Sequence, residues 1–456
     1  MIIIDDSEEL DSLLQDIKNY IENEEVVLVV PILTDHQLHP SINKISCIYV
    51  YSSNEIEFIV PIHHTEQITG FKEHLNELLQ LESIFVHDKK LWLQMGGNNK
   101  VYDVKSLWWY TYNEAYDDNH YFTDAHHFYW RRHTNLQHVN TIVPLMKHAE
   151  MCQKIRKYAM PMIINQKLSE IRSTESGYGS YIRFNMIYPR IFAKIESNGM
   201  QVNDSFKMKE LITDGRVYSN YHYHTTTGRP SNAFRGFNFA AMNKQDGTRD
   251  AFCSRFDKGA LVEFDFDAYH VRLIARLIKY ELPKGSVHTY FGKFYFGTET
   301  LTAEQYEQSK QITFRLLYGH IEKEFLKIPF FQEVNNFVYS LWNTWKTNGC
   351  IETPLLKRRM CKDSLSDMNQ NKLFNYYLQA YETEFTANRL NQLLHLLEGY
   401  KTCIILYTYD SVLFDVPIHN AKEMLPKIKS CLEGDDFPVK CKVGNIYSKM
   451  NDIELW

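Results

Sequence analysis

Cys403-Ile404-Ile405-Leu406-Tyr407-Thr408-Tyr409-Asp410-Ser411-Val412-Leu413-Phe414-Asp415-Val416 is an apolar run broken near its middle by Tyr409-Asp410-Ser411. Two strand-like halves flank the break, so the stretch predicts a β-hairpin with a carboxylate at its tip. An uncompensated carboxylate is rare in a burying hairpin, because taking a charge out of water is costly. Upstream, Leu261-Val262-Glu263-Phe264-Asp265-Phe266-Asp267 reads as a buried strand that delivers Asp265 at its end, and Val271–Ile278 reads as a helix behind it. Taken singly, either aspartate reads as a turn residue or a helix cap. Taken together they could share divalent metals. Phosphoryl transfer uses such a pair, with two Mg²⁺ ions roughly 3.5–4 Å apart.

Between the two aspartates lies Glu307-Gln308-Ser309-Lys310-Gln311-Ile312-Thr313-Phe314-Arg315-Leu316-Leu317-Tyr318-Gly319. On a helix Lys310, Phe314 and Tyr318 fall on nearly one face. A cation with two aromatic rings can bind a triphosphate and stack on its base. Alone, the segment reads equally as an amphipathic core helix with a surface lysine.

Composition sets wide bounds. The chain has 456 residues and a net charge of −6. Domains of about 100–200 residues would make it two to four domains. Residues 1–25 hold nine acidic residues and one lysine, so the remainder carries a net +2. Basic clusters occur at Arg131-Arg132, Lys154-Ile155-Arg156-Lys157 and Lys357-Arg358-Arg359, and each reads first as a solvated face. No apolar run reaches about 18 residues, so no membrane span is expected. The first residues lack the basic flank of a targeting peptide. Eight scattered cysteines form no CxxC pair, which argues against a zinc site and fits a reducing, cytoplasmic compartment.

Toward the N-terminus, Leu10, Leu13, Leu14, Ile17, Tyr20 and Ile21 stand at helical spacing behind a Ser7 cap. Strand-like runs at Val26–Leu33, Ile45–Tyr51 and Ile56–Pro61 follow, then a helical stretch at Phe71–Leu81 and a strand at Ile84–His87. This order predicts a mixed α/β domain ending near residue 130, then a helix-rich basic connector to about residue 200. No repeat or low-complexity tract marks the boundaries.

Order and spacing give these pieces their meaning. Asp214-Gly215-Arg216-Val217-Tyr218-Ser219 and Thr227-Gly228-Arg229-Pro230-Ser231 with Asn238 precede the first aspartate motif, Asp265-Phe266-Asp267-Ala268-Tyr269-His270-Val271-Arg272. Ser286-Val287-His288, the Lys310 helix, Gly349–Thr353 with Lys357-Arg358-Arg359, Asn375-Tyr376-Tyr377-Leu378-Gln379, Tyr409-Asp410-Ser411 and a last strand over Pro438–Tyr447 then follow in line. In this collinear order the sequence resembles the family A DNA polymerases, the group of bacterial DNA polymerase I and several phage replicases. The resemblance runs from about Asp214 to Tyr447, roughly half the chain, with a weaker echo N-terminal to it.

The resemblance implies an α+β fold: a right-hand palm and fingers over residues 214–456, fingers at about 280–365, behind an RNase H-like, 3′–5′ exonuclease-like α/β domain at 1–130 and a helical connector with a thumb stub at 131–213. It implies a DNA-templated DNA polymerase acting on primer-template DNA and dNTPs with two Mg²⁺ ions, Mn²⁺ substituting. Asp265 and Asp410 would hold the metals with the Phe266 carbonyl. Lys310 and His288 would bind the triphosphate, with Lys310 also protonating the leaving pyrophosphate. Phe314, Tyr318 and His270 would shape the nucleotide pocket. Arg229, Asn238, Arg272, Asn375, Gln379 and Tyr409 would contact DNA.

Departures from the family pattern qualify this. His270 stands where the family has a glutamate that blocks the ribose 2′-hydroxyl, which implies weaker exclusion of ribonucleotides. Ser411 replaces an acidic residue, and Tyr306 and Asn371 occupy positions where arginines are expected. Ala193–Asn203 resembles the segment before the family's thumb, yet Asp214-Gly215-Arg216 follows almost at once, so the thumb is missing or a stub. Distributive synthesis is then expected unless a processivity partner substitutes, or the basic connector at 131–172. In the N-terminal domain the strand Val29–Thr34 lacks the exonuclease carboxylates, Trp92 replaces another, and a third is missing near Asn140. Asp88 and Asp103 remain and read as surface residues, so the domain is expected to be an inactive relic. Two other readings stay open: a non-catalytic DNA-binding or assembly subunit, and a weakly templated terminal transferase. A phage or other mobile element is the expected source, by analogy alone.

Overall fold

The computed structural model describes residues 1–35, 38–54, 56–66, 72–115, 140–170, 178–232, 237–243, 246–283, 285–434 and 436–454. The Arg131-Arg132 cluster lies outside the described residues, as does part of the basic connector. The chain divides into two compact units: residues 1–200, 207–224 and 232–239 in the first, and 201–206, 225–231 and 240–456 in the second.

The first unit is built on β1 (Ile2–Ile3), α1 (Ser7–Glu22), β2 (Val27–Leu33), β3 (Ile45–Ser52), β4 (Glu57–Pro61), α2 (Lys72–Leu79), β5 (Phe85–Val86), α3 (Lys89–Gln94), β6 (Tyr102–Asp103), α4 (Val104–Tyr112), α5 (Leu145–Glu170) and α6 (Tyr178–Asn198). Its six-stranded sheet has the order β1-β4-β3-β2-β5-β6. β2 pairs antiparallel with β3 and parallel with β5. All of β2 is buried because both sheet faces are covered. Val27 and Val29 pack in one core with Leu10, Leu14 and Ile17 of α1, while Leu28, Val30 and Ile32 pack in the other with Leu145, Cys152 and Ile155 of α5. That two-sided burial is why the strand reads as a continuous apolar run. One local expectation needs correction: α1 is capped by Asp6, whose side chain accepts from Glu8 N at 3.2 Å, and Ser7 is its first helical residue.

Burial also gives this unit a pH dependence. Burial lowers His148 to about 4 and lowers His64 and His224 as well. Between the ordinary 6.5 and about 4, the unfolded chain binds the His148 proton and the folded chain does not. These histidines therefore contribute stability at neutral pH that is lost as pH falls. Asp103 acts in the opposite sense: burial and then the Asp88 charge raise it to about 6, so over 3.8 to 6 the folded state is the one holding a proton. The histidines, together with Asp88 and Glu196, whose carboxyls are also held below their usual range, outweigh Asp103 and leave the unit acid-labile. Between about pH 7 and about pH 5, His148→Gln is expected to lose about 2 kcal/mol less stability than the wild type. Urea unfolding at the two pH values checks this; equal losses would show that His148 protonates freely in the folded state.

Between the two units' main sheets the chain runs through β7 (Met200–Gln201) and β8 (Arg216–Val217). Among the described residues no α-helix occurs between Asn198 and Tyr269, only 3-10 turns at Lys209–Leu211, Phe239–Ala241 and Thr248–Ala251.

The second unit carries β9 (Gly259–Phe266), α7 (Tyr269–Leu277), α8 (Val287–Phe296), α9 (Ala303–Tyr318), α10 (Pro329–Asn348), the ribbon β10 (Cys350–Glu352) and β11 (Arg359–Cys361), α11 (Gln370–Leu396), β12 (Cys403–Thr408), β13 (Ser411–Pro417), α12 (Ile418–Glu433), β14 (Val439–Gly444) and β15 (Asn451–Ile453). Its five-stranded sheet, β12-β13-β9-β14-β15, is antiparallel throughout. β9 is central, flanked by β13 and β14, and its register sets Asp265 opposite Ser411 on one side and Lys440 on the other. Among the described residues no helix is long and apolar enough to cross a membrane.

Candidate active site

The predicted hairpin exists, and its tip is a two-residue turn. Tyr409 has φ +57°, a left-handed conformation that two-residue hairpin turns require and that a tyrosine adopts at a cost. The Thr408 and Ser411 hydroxyls, 2.7 Å apart, close the turn. Phe266 N donates to the Asp410 carbonyl at 2.9 Å, tying the tip to the end of β9. Asp265 and Asp410, 145 residues apart in sequence numbering, are thereby neighbours in space. Burial, then the charges of Asp410 and Glu263, raise Asp265 to about 6, with Lys442 and Lys440 opposing. Asp410 lies at an exposed tip, yet desolvation by the surrounding protein, then the Glu382 charge, still raises its carboxyl. Ala268, with φ +48°, turns the chain from β9 into α7 just beyond the first aspartate.

The Asp410 charge raises Asp265 and the Glu382 charge raises Asp410, so the pair presents a site with excess negative charge, which suits a divalent cation. Among the described residues no group of three or more His, Cys, Asp or Glu side chains is arranged to hold a metal. A two-carboxylate set fits Mg²⁺, which commonly takes one or two carboxylates and completes its shell with water and substrate phosphates.

Helix α9 supplies the second wall. A capping box at Thr302 and Gln305 starts it. Phe314 and Tyr318 lie one turn apart with nearly parallel rings, centroids 6.0 Å apart. His288, from α8, packs edge-on against Phe314 at 5.6 Å. It is 3% exposed, and burial lowers it to about 4, so it offers a neutral imidazole rather than a cation. At the other end of the row, His270 Nδ1 and the Tyr318 hydroxyl share a short hydrogen bond. Asn375 Nδ2 donates to the Tyr318 carbonyl at 3.3 Å.

Glu382, which sequence reasoning missed, ties these parts together. It is 2% exposed and lies 2.9 Å from His270 Nε2 and 3.0 Å from Arg229 Nε. The Arg229 guanidinium sits 3.7 Å over the Tyr409 ring. Asn375, Gln379 and Glu382 share one face of α11, and Gln379 accepts from the Thr227 hydroxyl at 3.3 Å. Arg272 is engaged locally: its Nε donates to the Asp267 carbonyl at 2.9 Å, and its guanidinium meets the Asp267 carboxylate at 3.4 Å. Lys440 Nζ lies 2.7 Å from the other Asp267 oxygen. Burial would raise Asp267, but Lys440 and then Arg272 outweigh it and hold the carboxyl below its usual range. Lys440 and Lys442 alternate along β14, and that period-2 pattern was the signal available for finding them. Nothing local marks Glu382. Of the sequence-predicted residues, Asn238 is exposed and belongs to the first unit. The Lys357-Arg358-Arg359 cluster splits, because Arg358 is 3% exposed and donates to the Thr226 carbonyl at 2.7 Å.

The first unit holds its own acidic cluster, and here an expectation fails. Asp103 is 1% exposed rather than a surface residue, since β6 delivers it beneath α3 and α4. It accepts from Lys89 N at 3.1 Å and from the Ser106 hydroxyl. Asp88 caps α3 through Leu91 N at 3.0 Å and meets Lys105 Nζ at 2.8 Å. Burial pushes Asp88 up, but Lys105 and Lys90 outweigh it and leave the carboxyl well below its usual range. Buried Glu196 meets Lys90 Nζ at 2.7 Å. Lysine ammonium groups thus neutralise two of these three acids within the fold.

No family model matches the chain. Two curated relatives, both named DNA polymerase I, from two strains of Streptococcus pneumoniae, are 22% identical over 262 residues, which is 49% of this chain. The chain spans 30% of their length. Among solved structures, the POL domain of Pol1 from M. smegmatis, in complex with DNA primer-template and dNTP, matches with a TM-score of 0.72 at 14% identity, covering 99% of this chain and 100% of that one. The chain therefore has the fold of that POL domain, and the α+β polymerase fold expected from the sequence is the one observed.

Proposed function

We propose that this chain is a DNA-templated DNA polymerase that adds deoxynucleotides to a primer 3′-hydroxyl. One observation carries the reading: Asp265 on β9 and Asp410 at the β12–β13 tip come together, beside a helix bearing Lys310, Phe314 and Tyr318. The fold of the POL domain and the similarity to DNA polymerase I over half the chain support it.

Asp265 and Asp410, with the Phe266 carbonyl, would hold Mg²⁺, or Mn²⁺ in its place, which when bound activates the attacking hydroxyl and neutralises the triphosphate. The chain's own groups do the rest by positioning and charge. Lys310 pairs with the triphosphate and protonates the departing pyrophosphate. His288, held neutral, orients a phosphate oxygen by a hydrogen bond. Phe314 and Tyr318 stack on the incoming base. Arg229, Asn375, Gln379 and Tyr409 line the primer-template, while Arg272 braces Asp267 near the primer end.

Two limits on activity belong to the reading. The first unit does not proofread, because lysines occupy two of its three acids and the third, Asp103, is buried on Lys89 N and the Ser106 hydroxyl. Synthesis is distributive, because the described residues between Asn198 and Tyr269 contain no α-helix to grip the product duplex through its phosphates. The test is extension of a labelled primer on a defined template with Mg²⁺ and dNTPs. Template-complementary products, short under a DNA trap, are expected, and the primer should stay intact without dNTPs. No extension with either Mg²⁺ or Mn²⁺, duplex binding being intact, would indicate a binding subunit instead.

His270 sets the sugar boundary of the pocket. Pinned between Tyr318 and Glu382, its imidazole presents a fixed wall where a ribose 2′-hydroxyl would fall. His270→Ala is expected to lower the dNTP-to-rNTP ratio of kcat/KM by about 10- to 100-fold, the discrimination a single steric contact supplies. An unchanged ratio in single-nucleotide incorporation would remove His270 from the sugar pocket.

A further inference from the structure

The β10–β11 ribbon sets two cysteines directly opposite one another. Cys350 pairs with Cys361, Ile351 with Met360 and Glu352 with Arg359. Lys362 N donates to the Gly349 carbonyl at 2.9 Å, and Thr353 N donates to the Arg358 carbonyl at 2.9 Å. Antiparallel pairs alternate in type, so Gly349/Lys362, Ile351/Met360 and Thr353/Arg358 are the hydrogen-bonded pairs, and Cys350/Cys361 is a non-hydrogen-bonded pair. At such pairs the Cα atoms approach to about 4.5 Å and the side chains lean together. A disulfide needs Cα atoms within roughly 4.4–6.8 Å. Alternation along the strands sends Ile351 and Met360 into a core with Trp345, Leu365 and Leu373, and leaves both cysteines on the opposite face, partly exposed. Both thiols are free. Arg359 donates to the Cys350 sulfur at 3.0 Å, placing a positive charge where a thiolate would form.

We propose that Cys350 and Cys361 are a reversible oxidation site, closing to a disulfide that locks the 350–361 hairpin. The oxidant is a hydroperoxide. The Cys350 thiolate attacks the distal peroxide oxygen, the O–O bond breaks, and with hydrogen peroxide the leaving hydroxide takes a proton to become water. The resulting sulfenic acid is then attacked by the Cys361 sulfur. The S–O bond breaks, water leaves with the Cys361 proton, and the S–S bond forms. Overall, two thiols and one hydrogen peroxide give one disulfide and two waters. Burial holds the Cys361 thiol above its usual range, which suits a resolving rather than an attacking sulfur.

The lock has a definite object. Between the cysteines the hairpin tip docks on the rest of the second unit: Leu355 N and Leu356 N donate to the buried Glu384 carboxylate at 2.8 and 3.0 Å, and Arg358 donates to the Thr226 carbonyl at 2.7 Å. A crosslink at the base of the ribbon limits how far that tip can peel away.

The test uses the full reduced chain and does not depend on polymerase activity. After treatment with equimolar hydrogen peroxide and alkylation, peptide mapping should find Cys350 joined to Cys361, with dithiothreitol restoring both thiols. Cys361→Ser should leave a sulfenic acid on Cys350 that dimedone traps, and Cys350→Ser should form no linkage. Amide hydrogen exchange at Leu355 and Leu356 should slow about tenfold or more in the oxidised chain. Linkage of either cysteine mainly to another partner, or both remaining free while other cysteines oxidise, would overturn the site. A linkage without slower exchange would overturn the lock.

Discussion

Asp410→Ala and Asp265→Ala are each expected to lower primer extension by about 10³-fold or more, because each removes several kcal/mol of charge stabilisation from the transition state. The two substitutions should act as one. Burial and the Asp410 charge raise the proton affinity of Asp265, and the two carboxylates would share one metal site, so neither serves alone. The double variant is therefore expected to lose little beyond either single one. Single-turnover extension measures the effect, with duplex binding followed by fluorescence anisotropy to separate chemistry from affinity. Neutralising either carboxylate relieves repulsion in the apo chain, so binding and thermal stability should hold or rise while extension collapses. Asp410→Ala retaining wild-type extension would sink the polymerase reading of the hairpin.

The second large effect concerns the platform beneath the site. Asp415 lies on β13, between β9 and β12, and is 0% exposed. It accepts from the Ser254 hydroxyl at 2.6 Å, from Arg255 N at 3.0 Å and from Arg255 Nε at 2.9 Å. It therefore fastens the segment before β9 to the far end of the Asp410 hairpin. Asp415→Ala leaves a partly buried guanidinium and a backbone N–H without their acceptor. A loss of about 3–5 kcal/mol in unfolding free energy is expected. Glu423→Ala, which breaks solvent-exposed contacts with Lys427 and the Tyr400 hydroxyl, should cost far less. Denaturant unfolding of the two variants side by side checks the contrast. A loss below about 1 kcal/mol at Asp415 would mean the loop at 254–255 rearranges to solvate Arg255.

Much of the fold was legible from local pattern. The longer strands of both sheets and several of the helices after them announce themselves by apolar runs, by period, and by carboxylates placed where strands end. β2 was readable because two-sided burial leaves an uninterrupted run. The Tyr409-Asp410 turn was readable because a charge in an apolar hairpin has few structural reasons to be there. The cap of α1 was misplaced by one residue, since Asp6 and Ser7 are both good caps and backbone geometry chooses between them. Asp103 was misread as a surface acid. Its two-residue strand offers no periodicity, and its burial comes from elements packed over it from both earlier and later in the chain. The connector helices were readable as helices, but not as a cover for the N-terminal sheet, because that depends on which face meets which core.

What the sequence determined by itself is most of the elements, their order, and where the proposed chemistry would fall: Asp265, Asp410 and the Lys310–Phe314–Tyr318 face stand out through local pattern and through their collinear order along the chain. What only the tertiary structure decided is the pairing of charges. Glu382 bridges His270 and Arg229, Arg229 covers Tyr409, Lys440 braces Asp267, and Arg358 is buried on a carbonyl. The reason is physical. Period and propensity act over a few residues, whereas a buried charge is compensated by whatever group the packing brings within about 3 Å, and that partner can lie anywhere in the chain.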